Sequence, residues 1–140
     1  MESKVRPEEV HDYLASLGGF HDAGTLKVEE TTSDEVRIRW IHQPERLRPG
    51  GYVSGPTLFS IADLCGWVLV WTTEGVTPMA VTTNLNITFL RPAVGGDVIA
   101  RAHQIKRGRT TMFGDVIMTM AHEPDKPVAH ATVTYAIPAS

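Results

Sequence analysis

Residues 54–71 read Ser-Gly-Pro-Thr-Leu-Phe-Ser-Ile-Ala-Asp-Leu-Cys-Gly-Trp-Val-Leu-Val-Trp, which is the most apolar run in the chain. Pro56 is tolerated in the first turn of a helix, and Ser54 or Gly55 just before it can cap the free amide groups there. Gly75 then predicts the end of the helix. Because apolar residues lie on all sides, we expect the helix to be buried, with a sheet wrapped around it.

One charged residue, Asp63, interrupts this apolar run. A carboxylate in such a place is either satisfied by neighbouring donors as part of the structure or retained for chemistry. A transmembrane helix is a further interpretation, because roughly 20 apolar residues span a bilayer. Asp63 itself, Pro56 and the lack of a flanking basic cluster disfavour that interpretation. We therefore expect the core helix of a globular domain.

Length and composition are those of a single globular domain. The chain has 140 residues, of which 42% are apolar, and its formal net charge is −3. The interspersed charges give no electrostatic argument for binding nucleic acid or an anionic membrane. The single cysteine, Cys65, cannot form an intramolecular disulfide, and the charged N-terminus lacks the apolar segment of a secretory signal. We expect a cytoplasmic protein.

The remaining elements are predicted from apolar periodicity and turn chemistry. A short helix is expected over Pro7–Leu17. The predicted strands, in chain order, are Thr25–Glu29, Glu35–Trp40, Ala80–Leu90, Val98–Lys106, Thr110–Ala121 and Pro127–Ile137. The short connections between them favour antiparallel pairing. The pattern therefore predicts an α+β domain in which two strands precede the long helix and four strands follow it and curl around it.

Two stretches carry a resemblance to a known family. Residues 54–63 match the spacing of a His-Gly-Gly-x-x-x-x-x-x-Asp motif, and residues 84–93 resemble the strand that follows the helix in the same family. By their order and spacing, residues 24–137 are similar to the hotdog-fold acyl-CoA thioesterases of the PaaI-like group. The resemblance implies a hotdog fold, an antiparallel sheet wrapped around a long central helix. Residues 1–140 would then form one domain with an N-terminal helical segment at 1–20.

The resemblance also implies a site shared between the subunits of a homodimer or homotetramer. Asp63 would act as nucleophile or general base toward a thioester carbonyl, and the backbone N–H of Gly55 would stabilise the oxyanion. A polar residue of the partner's strand, Thr82 or Thr83, would help to position the attacking water. The implied reaction is hydrolysis of an acyl-CoA to a carboxylic acid and free CoA. No cofactor or metal is expected, since the six histidines show no metal-ligand spacing.

The chain departs from the family pattern at three positions. Ser54 stands where the family has His, Pro56 where it has a second Gly, and Arg48 where it often has Asn. Pro56 removes one backbone donor near the oxyanion, although Ser54 could still donate a hydrogen bond. A hotdog protein that binds acyl-CoA or an acyl lipid without hydrolysing it is therefore the alternative.

Four arginines are candidate ligands for the phosphates of coenzyme A: Arg48, Arg91, Arg107 and Arg109. Guanidinium groups bind phosphates through paired N–H donors. For the two that flank Gly108, a solvated turn is the competing interpretation. The sequence does not reveal the acyl group, because aromatic residues such as Trp67 fit an apolar pocket and a packed core equally well.

Overall fold

The computed structural model describes residues 2–19 and 24–139. Its α-helices and strands in chain order are α1 (Pro7–Leu17), β1 (Leu26–Thr31), β2 (Glu35–Trp40), α2 (Gly55–Glu74), β3 (Val81–Phe89), β4 (Val98–Arg107), β5 (Thr111–Met120) and β6 (Glu123–Ala136). The strands form one antiparallel sheet in the order β1-β2-β4-β5-β6-β3, and α2 packs against it. The predicted α+β architecture is confirmed. Met1 and Phe20, the ends of the predicted N-terminal segment, lie outside the described residues.

The bounds of α2 follow from local chemistry, as predicted. Ser54 is the N-cap, and its Oγ accepts a hydrogen bond of 3.2 Å from the amide of Thr57. Pro56 occupies the first turn, where its missing N–H costs nothing. At the other end, Gly75 has a φ of 81° and donates its N–H to the carbonyl of Trp71. That backbone conformation favours glycine.

Small residues let α2 lie close to the sheet. Ala100 and Ala131 are fully buried on the strands that face the helix. On the helix itself, a Cβ added at Gly66 would lie 2.7 Å from Cε1 of Tyr135 and 2.8 Å from Cγ2 of Val133, closer than side chains pack. Small side chains on the sheet and Gly66 on the helix together allow this close approach.

The helix is not buried on all sides, contrary to the sequence prediction. Pro56, Phe59 and Ser60 are exposed, and Asp63 is half-buried. The reason is geometric, since one sheet covers only one side of a helix and the N-terminal half of α2 has a second side turned away from it. No helix within residues 2–19 and 24–139 is long and apolar enough to cross a membrane.

Two strand boundaries differ from the prediction by more than one residue. β1 runs to Thr31 instead of ending at Glu29, and β6 begins at Glu123, within residues predicted to form a turn. Of the two prolines there, Pro124 suggested that turn, whereas Pro127 was predicted to begin the strand. They are tolerated because pairing with β3 begins only at Ala129, so the first part of β6 has one open side where no ladder hydrogen bond is required.

Candidate functional site

Two side chains hold the carboxylate of Asp63 in place. Thr82 donates from Oγ1 to Asp63 Oδ1 at 2.5 Å, and the hydroxyl of Tyr135 lies 2.9 Å from the same oxygen. The Tyr135 hydroxyl also lies 2.8 Å from the backbone carbonyl oxygen of Asp63. Within the described chain every hydrogen bond to this carboxylate goes to Oδ1. Oδ2 therefore remains available to a molecule entering from outside.

A bulge in β3 decides which threonine reaches Asp63. The pairing of β3 with β6 shifts between Thr82 and Asn84, so Thr83 is the extra residue. Thr82 points toward α2, whereas Thr83 donates to the carbonyl of Thr134 on β6 at 3.3 Å. The sequence interpretation left both threonines open and assigned them to the partner subunit. The structure brings Thr82, and not Thr83, to Asp63 within the same chain.

Tyr135 is a site residue that the sequence analysis missed. From the sequence it was placed only within the last predicted strand, Pro127–Ile137. The residue is 3% exposed, and its ring passes beneath α2 at Gly66, which lets the hydroxyl reach Asp63. Burial, and then the nearby Asp63 charge, raise the pKa of Tyr135 well above its ordinary value, so the phenol stays a proton donor. The available signal in the sequence was Gly66, a glycine three residues after Asp63 in the middle of an apolar helix.

A cavity of about 550 Å³ opens beside Asp63. Phe59, Leu64, Trp67 and Val81 supply its apolar wall, and the Asp63 cluster supplies a polar corner. Apolar lining with a few convergent polar groups is typical of a small-molecule site.

The N-terminus of α2 lines a different cavity, of about 390 Å³, together with Arg48, Arg91 and Phe89. The first amide groups of a helix have no intrahelical acceptor. Here Pro56 has no N–H, and Ser54 Oγ already accepts from Thr57. The Gly55 amide is thus a first-turn donor to which the described residues offer no acceptor. The predicted oxyanion donor is available, while the Ser54 oxygen is engaged as a cap and also shares a hydrogen bond of 2.9 Å with Thr57 Oγ1.

Gly55 and Asp63 are not brought together within one chain. They are eight residues apart on α2, which corresponds to about 12 Å along the axis at 1.5 Å per residue. An oxyanion donor must lie about 3 Å from the reacting oxygen, and a base must lie within reach of the attacking water. One carbonyl group cannot satisfy both conditions with the Gly55 and Asp63 of the same chain.

The four candidate CoA-binding arginines fall into two groups at opposite ends of α2. Arg48 and Arg91 lie near Gly55. Arg107 and Arg109 lie near Glu74, roughly 30 Å away for a helix of 20 residues. Arg107 is engaged, because it forms an ion pair with Glu74, donates to Thr73 Oγ1 at 3.1 Å and reaches the Gly108 carbonyl. Burial lowers the pKa of Arg107.

Residues 50–123 match the family model of the thioesterase superfamily. A protein of Thermoplasma acidophilum named as an esterase is 27% identical over 103 residues, 74% of this chain and 77% of that protein. A solved structure named as a thioesterase, from Silicibacter sp. TM1040, is 32% identical with a TM-score of 0.83, covering 99% of this chain and 96% of its own. PaaI of E. coli, from the phenylacetic acid degradation operon, is 18% identical with a TM-score of 0.79, covering 96% of this chain and 94% of its own. These likenesses confirm the hotdog fold.

Proposed function

The chain belongs to the thioesterase superfamily, and we propose that it hydrolyses an acyl-CoA thioester to the carboxylic acid and free coenzyme A. The observation that carries the proposal is the Asp63 carboxylate, whose Oδ1 is held by Thr82 and Tyr135 and whose Oδ2 has no donor among the described residues. A base that must accept a proton from water requires one such free oxygen beside a substrate-sized cavity.

We propose further that each site combines Asp63 of one subunit with Gly55 of the partner subunit. The separation of about 12 Å between these residues on one helix supports this, since a single carbonyl must meet both groups. The exposed side of α2 at Phe59 and Ser60 supports it as well, because a second copy could lie there.

In the proposed reaction Asp63 Oδ2 takes a proton from water while the water oxygen bonds to the thioester carbon. The carbonyl oxygen becomes an oxyanion and accepts a hydrogen bond from the amide of the partner's Gly55, at the positive end of that helix. The tetrahedral intermediate then collapses with cleavage of the C–S bond. Asp63 returns its proton to the departing thiolate, so the products are the carboxylic acid and the free thiol of coenzyme A.

The two cavities suggest where each end of the substrate binds. The apolar wall at Leu64, Trp67 and Val81 suits the acyl group, and the cations Arg48 and Arg91 near Gly55 suit the phosphates of coenzyme A. Arg107 is the weakest of the predicted phosphate ligands, since its guanidinium is already engaged with the end of α2.

Release of free thiol from a panel of short, medium, long and aromatic acyl-CoAs tests the activity. We expect at least one to be hydrolysed, and we expect Asp63→Asn to lower kcat by a factor on the order of 10² or more. Tight binding of acyl-CoA with no thiol release from any member of the panel would favour the non-catalytic binding protein. The binding protein remains the alternative because Pro56 has no N–H and the Thr57 amide is bonded to Ser54, so the oxyanion would depend on the Gly55 amide alone.

Subunit mixing tests the shared site. Gly55→Pro removes the proposed oxyanion donor at a helix position where proline is tolerated, and Asp63→Asn removes the base. In a mixed dimer of the two inactive variants, one subunit keeps Asp63 and the other keeps Gly55. One of the two shared sites would therefore be intact. Random mixing should therefore restore about a quarter of the wild-type activity. Mixed dimers that form but stay inactive would place the whole site within one chain.

A further inference from the structure

We propose that Tyr135 is a positioning residue that orients the Asp63 carboxylate for proton transfer. This inference rests on the proposed function and adds to it a residue on β6, a strand that contributes nothing else to the site. Tyr135 acts through Asp63 and does not itself touch the reacting atoms.

The position of the hydroxyl is the first argument. It lies 2.9 Å from Asp63 Oδ1 and 2.8 Å from the Asp63 carbonyl oxygen, so its one proton is shared between two acceptors of the same residue. A buried phenol needs only one acceptor, and the carbonyl oxygen would suffice. The additional approach to Oδ1 links the side chain of Asp63 to its own backbone and so restricts rotation of the carboxylate.

The rigidity of the support is the second argument. Tyr135 is paired with β3 on one side and with β5 on the other, through Thr82 and Met112. The residue is buried, and its ring is confined by the close approach of Gly66. Thr82, the other donor to Oδ1, lies on the edge strand and is exposed. Of the two donors, Tyr135 is the one whose position is fixed by packing against α2 and by strands on both sides.

The chemical consequence concerns Oδ2. The terminal torsion of an aspartate side chain has a broad energy profile, so an unrestrained carboxylate would rotate. Because Oδ1 is held by Tyr135 and Thr82, the direction of Oδ2 is fixed as well, and Asp63 lines the 550 Å³ cavity. Small misplacements of a catalytic group are known to cost up to about 10²-fold in rate.

The test is Tyr135→Phe, which removes one oxygen atom and keeps the ring. We expect kcat to fall about tenfold, with KM and the affinity for a non-hydrolysable acyl-CoA analogue unchanged within about twofold, because orientation matters only in the chemical step. Tyr13→Phe is the matched control, since it makes the same change in a ring that packs against Trp67 and Trp71 from α1. It should leave both constants as in the wild type.

The outcomes separate this inference from the proposed function. Wild-type protein that hydrolyses no acyl-CoA would overturn both. Active wild type together with a Tyr135→Phe variant of unchanged kcat per folded molecule, even if it melts at a lower temperature, would assign the hydroxyl a purely structural role and overturn the inference alone. A rise in KM with constant kcat would do the same, because it would indicate loss of substrate binding instead of orientation.

Discussion

Among the single residues, the hydrogen-bond donors around Asp63 favour a functional role of its carboxylate over a purely structural one. They are the neutral hydroxyls of Thr82 and Tyr135, and no ion pair with Asp63 occurs among the described residues. A structural carboxylate in an apolar helix would be expected to have a charged partner or several backbone donors. The contacts here orient the group and leave one oxygen open, which is the arrangement that a working base requires.

Asp63→Asn should therefore leave stability almost unchanged. The amide oxygen of asparagine can accept the same two hydrogen bonds, so we expect the free energy of unfolding to change by no more than about 0.5 kcal/mol. Urea denaturation of both proteins measures this change. A loss of 1–3 kcal/mol, the range typical of a broken buried hydrogen bond, would argue for the structural role.

Gly66→Ala should destabilise the chain and impair the site together. Alanine is favoured over glycine within a helix by about 1 kcal/mol, yet its Cβ would lie 2.7 Å from the ring of Tyr135. The ring or the helix must shift, so we expect a lower melting temperature and a lower kcat per folded molecule. An increase in melting temperature with full activity would show that the close approach at Gly66 is relieved at no cost.

At the scale of elements, an ion-pair cluster joins the β1–β2 hairpin to the start of β4. Arg39 donates to Glu29 at 2.8 Å and to Asp97 at 2.8 Å, while Asp97 also accepts from the amide of His42 at 2.7 Å. Burial alone would raise the pKa of Asp97, but the His42 amide and Arg39 outweigh it and lower that pKa. The cluster anchors the beginning of the loop that leads into α2.

The stability that Asp97 contributes should disappear in acid. A carboxyl group whose pKa is lower in the folded state stabilises fully above its unfolded pKa, near 3.8 for this residue, and loses its contribution as the pH falls through the folded value. We expect Asp97→Asn to cost roughly 1–3 kcal/mol at pH 7 and progressively less below about pH 4. Urea denaturation from pH 3 to 7 measures this, with the exposed Asp12→Asn on α1 as the control. A cost that does not vary with pH would contradict the ionic origin.

The loop before α2 should contribute to binding of coenzyme A. Arg48 is exposed and lies 5.7 Å from the centre of the Tyr52 ring, in the cavity that also contains Gly55. We expect Arg48→Ala to raise KM for acyl-CoA several-fold with little change in kcat, and this effect should shrink at high salt. Arg109→Ala, at the far end of α2, should have a smaller effect. The reverse ranking would instead assign the phosphates to the arginines that flank Gly108.

At the scale of the whole molecule, the surface of the single chain favours association. β3 is an edge strand, and Val81 and Phe89 on it are 56% and 53% exposed. Unpaired backbone groups on a long edge are prone to pair with another strand. Val81 on this edge and Phe59 on the exposed side of α2 both line the Asp63 cavity. A two-fold interface there would also bring the two halves of the proposed site together.

Sedimentation velocity at micromolar concentration should accordingly detect dimers or tetramers and no monomer. The physical reason is that burying the edge of β3 with the apolar side of α2 removes a large exposed apolar surface from water. Hydrolytic activity should fall on dilution in parallel with dissociation. A stable monomer with full activity would contradict both the assembly and the shared site.

The amino-acid sequence alone determined the elements whose signals are local. Ser54, Pro56 and Gly75 specify the bounds of α2 through capping and backbone chemistry within a few residues, and alternation specifies β2. Asp63 was recognisable because a charge within an apolar helix has few explanations. The contact of Thr82, and not Thr83, with Asp63 and the reach of Tyr135 across 72 residues follow instead from the folded chain. Those contacts depend on a bulge and on strand register, which arise from pairing between distant segments and leave no periodic trace in the chain.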